Sequence, residues 1–189
     1  RFFPFNVLHK SMVKILGKTI IEHTLLSIKK SGIKNVIIVV GKNSKVEDTV
    51  GDTKNLGLNI QYVVQSKATG MGDALLSAEK YIKSDFFLLH AHHVDFFKFK
   101  KLLEEKQKEN GIVLLAKKIS NSLVLQKAGV LKIQGDRVLE VIEKPLAGKE
   151  PSDLGVIGIY LLNKEFIKVL KKAPKEHYNF EKSILFGVL

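Results

Sequence analysis

"LLHAHHVDFF", residues 88–97, places three of the chain's six histidines within four positions. Imidazole nitrogen is a ligand for zinc, manganese and related ions, so such a cluster points first to metal chemistry. On a strand, His90 and His92 share one face and His93 points to the other. Two same-face imidazoles leave a tetrahedral ion short of ligands, and Asp95 is the next candidate along the chain. Two other stretches bring reactive types together. "QSKATGMG" (65–72) carries two glycines ahead of a helical pattern, and glycine at a helix entrance lets backbone N–H groups approach a phosphate or a base. It falls short of a complete dinucleotide or phosphate-loop signature. "IEKP" (142–145) sets Glu143 beside Lys144. Neighbours on a strand face opposite ways, so the two are not expected to pair with each other: one could meet a sugar hydroxyl and the other a phosphate, or the segment is simply an exposed edge-strand end.

The elements that must carry these residues can be read from periodicity. "IKNVIIVVG" (33–41) is a near-continuous β-branched run closed by Gly41, the pattern of a strand buried on both faces. "LNIQYVVQ" (58–65) and "DFFLLHA" (85–91) repeat it. Helical patterns alternate with them: "KTIIEHTLLSIKKSG" (18–32), "GDALLSAEKYI" (72–82) and "FKFKKLLEEKQKENG" (97–111). Strands alternating with helices predict an α/β fold of Rossmann-like type, a mixed and mostly parallel sheet with helices on both faces. Further on, "GIVLLAKKI" (111–119) and "LGVIGIYLL" (154–162) read as strands, "AGVLKIQGDRVLEVIEKP" (128–145) as a hairpin about Gly135–Asp136, and "KEFIKVLKKA" and "NFEKSILFGVL" as helices. One domain over 1–189 accounts for the pattern. In open sheets of this class ligands bind beyond the carboxyl ends of the strands. Four segments fall there: Gly41 onward, 65–72, 90–95 and 143–145.

Composition narrows the function classes. Of 189 residues 45% are apolar and 26% charged, which suits a packed domain and not a disordered chain. No apolar run reaches the roughly 18 residues of a membrane span, so no membrane partner is expected. Cysteine is absent, so disulfides and thiolate sites are excluded, and a cytoplasmic location fits. The net charge of +12 asks for an anionic partner or signifies a lysine-rich soluble surface. Arg1 and Arg137 are the only arginines. Base readout favours arginine, so nucleic acid is not the expected partner.

Taken in order, the segments resemble sugar-1-phosphate nucleotidyltransferases of the glucose-1-phosphate thymidylyl/uridylyltransferase type. Arg1, Pro4, Lys10, Met12, Gly17 and Lys18 in "RFFPFNVLHKSMVKILGK" match the family's opening. "VVQSKATGMGDALLSAE", "AGVLKIQGDRVLEVIEKP" and "LGVIGIYLLN" are similar to its later motifs. The resemblance implies transfer of a nucleotidyl group from a nucleoside triphosphate to a sugar 1-phosphate, with release of pyrophosphate. It puts Arg1 on the triphosphate, Lys10 at the α-phosphate, Gln65 and Gly70 at the base, and Gly129, Glu143 and Lys144 at the sugar phosphate. It also implies Mg²⁺, held by an Asp at the position of His92. The segment "HAHHVD" is then the altered metal corner of a nucleotide site and not a separate zinc site. The fold's first strand and its C-terminal part, with a second metal Asp, are expected to lie outside these residues. A homo-oligomer is compatible with the resemblance. Loss of the metal Asp favours a rival reading: a degenerate paralogue that binds nucleotide or sugar phosphate as a regulatory or assembly subunit.

Overall fold

A computed structural model of the protein describes residues 10–42, 44, 46–50, 56–65 and 70–173. A short hairpin, β1 (Lys14–Ile15) and β2 (Lys18–Thr19), leads into α1 (Ile20–Lys30). Then come β3 (Asn35–Gly41), α2 (Val46–Val50), β4 (Asn59–Gln65), α3 (Met71–Ala78) and β5 (Phe86–Leu89). The second half runs α4 (Lys100–Asn110), β6 (Val113–Lys118), α5 (Ser122–Leu125), β7 (Gly129–Gln134), β8 (Arg137–Glu143), β9 (Leu154–Leu162) and α6 (Phe166–Lys172). The periodic segments thus become the elements their patterns predict. The reading of "NFEKSILFGVL" lies outside the described residues.

α1 starts where its sequence says it should. Thr19 is the N-cap: its hydroxyl accepts from the Glu22 amide, and the Glu22 carboxylate returns to the Thr19 amide at 2.7 Å. This reciprocal pair satisfies two of the otherwise unpaired donors at the helix start. From that anchor α1 turns Ile21, Leu25 and Ile28 into the core.

The class is mixed α/β, with helices on both faces of the sheet. β9 is the axis: β5, β6 and β7 all pair with it, antiparallel. Its side chains alternate between two cores, as a period of two requires. Ile159 and Leu161 pack with Leu25, Phe96 and Leu103, on the side of α1 and α4. Tyr160 and Leu162 pack with Leu75, Phe166 and Leu170, on the side of α3 and α6. The balance of ladders differs from the expected mostly parallel sheet. Among the described residues β3–β4 is the one parallel pair, in register Asn35↔Asn59 to Gly41↔Gln65, and the other ladders are antiparallel. One of these, β7–β8, is closed by a tight hairpin at Gly135–Asp136, and hairpins can only make antiparallel pairs; the others come from β9, which runs opposite to β5, β6 and β7.

β3 pairs with β4 alone and β5 with β9 alone among the described residues. A groove of about 1070 Å³ separates them, lined by Val36, Ile38, Leu75, Phe87 and Leu89. No helix of the described residues is long and apolar enough to cross a membrane.

The packing of α1 is testable. Leu25 is 2% exposed, so Leu25→Ala should cost about 3 kcal/mol in urea-denaturation stability. A loss below about 1 kcal/mol would show that α1 does not close this core.

Candidate functional site

β5 stops at Leu89, one residue before the first histidine, and residues 90–95 form turns. This corrects the expectation for the three rings. Strand alternation would have sent His93 away from His90 and His92, but alternation ends with the strand. The His92 and His93 amides both reach back to the His90 carbonyl, at 2.8 and 3.3 Å. The coiled backbone gathers all three side chains. Ring centroids stand 5.3 Å (His90–His92), 5.9 Å (His90–His93) and 4.6 Å (His92–His93) apart.

α1 holds this turn at both ends. The Thr24 hydroxyl donates to the Ala91 carbonyl at 3.1 Å, and the Phe97 amide donates to the Ser27 hydroxyl at 3.0 Å. Both hydroxyl residues are buried, which makes these bonds costly to break. They explain two polar residues on an otherwise apolar helix face. Beneath the turn lies β9, which carries two residues more than β6 between the pairs Leu114↔Tyr160 and Ala116↔Val156. Gly158 sits in that bulge with φ +86°. A Cβ at this glycine would lie 2.7 Å from His90 Nδ1 and 3.5 Å from His93 Nε2. Only glycine offers both the backbone angle and the room.

Burial and nearby charge favour the neutral form of all three rings. Burial, then the Lys10 charge, lowers the pKa of His90 and takes that of His92 down to about 4. Burial, then the charge of His90, takes His93 to about 4, with Asp95 and a backbone contact at Gly158 working the other way. His93 is 7% exposed, and its buried Nε2 has no hydrogen-bond partner of ordinary geometry. Lys10, in a 3₁₀ turn over Lys10–Met12, is near enough for its charge to act on all three rings.

Gln65 and Gly70 also meet. The Gln65 amide donates to the Gly70 carbonyl at 3.2 Å and to Asp73 Oδ2 at 2.7 Å. Asp73, in the first turn of α3, was missed from sequence; an acidic residue just past a glycine helix entrance was the available signal. Residues 66–69 of the glycine loop and Arg1 lie outside the described residues.

Gly129, Glu143 and Lys144 form a second corner. Gly129 is the register partner of Glu143, and the Lys144 amide donates to the Ala128 carbonyl at 3.0 Å. Lys144 Nζ lies 3.5 Å from Glu143 Oε1, so the two do form an ion pair, against expectation. β8 ends at Glu143 and Lys144 takes φ +49°, which breaks the alternation that would have separated them. β9 ties the two corners together. Gly155 pairs with Val130 of β7, and Gly158 beneath the histidines is three residues on, roughly 10 Å at strand rise.

The histidine turn does not fit Mg²⁺. That ion demands near-octahedral oxygen ligands, while the three groups assembled here all offer nitrogen. An imidazole such as that of His92 does not supply the hard oxygen expected of the metal carboxylate.

A family model described as "Nucleotidyl transferase" matches residues 1–188. The chain belongs to that nucleotidyl transferase family. The "Bifunctional protein GlmU" of Methanococcus maripaludis is 31% identical over 175 residues, covering 91% of this chain and 39% of the relative. A "UTP--glucose-1-phosphate uridylyltransferase" of Streptococcus pyogenes is 27% identical over 208 residues, covering 91% of this chain and 68% of the relative. The chain therefore spans about two fifths of the length of the Methanococcus relative. Among solved structures, an apo UDP-glucose pyrophosphorylase superposes with a TM-score of 0.77 at 20% identity, covering 98% of this chain and 81% of that one. A UTP-bound UGPase from Acinetobacter baumannii gives 0.74 at 18% identity, covering 98% and 77%. At these identities the structures speak to the fold.

The neutral imidazoles carry a pH signature in the metal-free chain. In the unfolded state histidine takes up a proton near pH 6.5, whereas His92 and His93 resist until about 4. Between these values the unfolded state binds more protons. Stability should be full above the upper value and fall as pH drops toward the lower one. Urea midpoints compared at about pH 7.5 and about pH 5 check the sign, and His93→Gln should shrink the difference. Ring-proton titrations near pH 6.5 for both residues would contradict it.

Proposed function

We propose that the protein transfers a nucleotidyl group from a nucleoside triphosphate to a sugar 1-phosphate. The observation that carries the reading is the family match over residues 1–188. The placement of Lys10 at the histidine turn supports it. In the reaction an oxygen of the sugar phosphate forms a bond to the α-phosphorus, and the bond from that phosphorus to the pyrophosphate oxygen breaks. Positioning and neutralisation of charge supply most of such catalysis. Lys10 would meet the charge that grows on the α-phosphate oxygens, and Arg1 would hold the triphosphate. Gln65, oriented by Asp73 and the Gly70 carbonyl, would face the base beside Gly70. Gly129, Glu143 and Lys144 would receive the sugar phosphate, with the Glu143 carboxylate on a hydroxyl and the Lys144 ammonium on the phosphate. A divalent cation shields triphosphate charge in reactions of this kind. A cytoplasmic site of action fits this reading.

The same reading assigns the groove between β3 and β5 to one further strand of the fold, since each is paired on one side only among the described residues. Amide exchange along Val36–Val39 checks this: protection should rise if the strand is present in a longer form of the protein.

Incubation with nucleoside triphosphates and sugar 1-phosphates in pairs should release pyrophosphate only when both substrates are present. Lys10→Ala should lower kcat by about a hundredfold or more, with KM for the nucleotide changed much less. Saturable nucleotide binding without pyrophosphate release from any pair would favour the non-enzymatic paralogue, which the imidazoles at the metal corner motivate.

A further inference from the structure

Three imidazoles converge where the family resemblance asks for a carboxylate. One nitrogen from each of His90, His92 and His93 can be chosen so that all lie within 4.8 Å of one another. A zinc-class ion bound to three imidazoles at about 2.0–2.1 Å would bring them to roughly 3.4 Å. The rings need to close by little more than an ångström, which rotation of side chains on a turn supplies. Two further observations point to a ligand. His93 is buried with its Nε2 lone of partners, a state that buried polar atoms rarely keep without an unseen water or ion. Gly158, at φ +86°, opens the space in which the His90 and His93 rings stand. The turn itself is pinned to α1 through Thr24 and Ser27, so the backbone that carries the donors is held in place before any ion arrives and only side-chain rotation remains.

We propose that His90, His92 and His93 bind one divalent ion of the zinc class, through one nitrogen each. Such ions accept imidazole readily, and Mg²⁺ does not. Three protein ligands leave a coordination position open. Among the described residues Lys10 and Asp95 are the charged side chains that act on the cluster. Lys10 opposes the cation and Asp95 favours it, so an anionic oxygen at the open position would be attracted by ion and ammonium together. This replaces the two-ligand argument against a zinc-class site, which counted His93 on the wrong face. The site rests on its own residues and does not depend on the transferase reading.

The test is titration of metal-stripped protein with Co²⁺ and with Zn²⁺ against a chelating dye, with no nucleotide present. One equivalent of Co²⁺ should bind and give visible absorption of a low-coordinate, nitrogen-ligated ion. Mg²⁺ at millimolar concentration should not displace it. His90→Ala and His92→Ala should each weaken binding by more than the roughly tenfold that loss of a ligand's supporting hydrogen bond costs. His23→Ala, a histidine bonded to the Ile15 carbonyl outside the cluster, should leave binding unchanged. Because His93 is buried, His93→Ala is read beside Gly158→Ala, which keeps every histidine but displaces the His90 ring; both should lose the ion while circular dichroism verifies folding. Absence of stoichiometric Co²⁺ and Zn²⁺ binding would overturn the proposal and leave three packed neutral rings. So would binding that survives His90→Ala and His92→Ala.

Discussion

β9 is buried on both faces, and a strand in that position has no tolerance for an extra side chain. Its bulge at Gly158 is the constraint on which the site depends. Residues following Gly158 keep strict alternation, Ile159 and Leu161 into one core, Tyr160 and Leu162 into the other. The glycine interrupts the ladder where two imidazoles need the space. A Cβ there would meet the ring of His90 closer than real atoms approach. Bulges often sit beside functional sites because they re-aim side chains without unravelling the sheet, and this one sits under the most unusual cluster in the chain.

α1 supplies the second half of the support. Its apolar stripe closes a core, and its two buried hydroxyls hold the ends of the histidine turn. The helix is itself fixed at its start by the reciprocal Thr19–Glu22 bonds. Rigid elements on both sides therefore present a turn, a geometry that suits groups needing exact placement. By contrast the ion pairs at the surface, such as Lys101–Glu105 at 3.7 Å with both side chains well exposed, contribute little. The excess of lysine bears on which ligands approach, through the sign of the field, and not on how the chain folds.

Membership of the nucleotidyl transferase family and the chemistry of the histidine turn pull in different directions. Glu143 and Lys144 stand beside Gly129 at one corner, the Lys10 charge acts on the histidine turn at another, and Gln65 meets Gly70 and Asp73. The histidine turn offers borderline nitrogen and not hard oxygen, a donor set that suits different ions from Mg²⁺. The Glu143–Lys144 contact also matters here. The pair is mutually neutralising until an anionic ligand arrives, and a sugar phosphate would compete for the ammonium.

Much of the fold was legible in the sequence because burial leaves a period. Continuous β-branched runs marked β3 and β4, and three-to-four spacing marked α1, α3 and α4. The order of the short motifs was enough to indicate the family, since residue type and sequence position are local facts. What tertiary structure alone decided is where those side chains point once regular elements stop. His93 joins His90 and His92 because β5 ends at Leu89, and Lys144 meets Glu143 because φ turns positive after β8. Asp73 reaches Gln65 across a loop, and Thr24 and Ser27 find backbone partners some seventy positions away. Periodicity speaks for directions inside a helix or strand. Beyond their ends the direction is set by long-range hydrogen bonds and by the room a glycine leaves, and neither has a signature in the neighbouring residues.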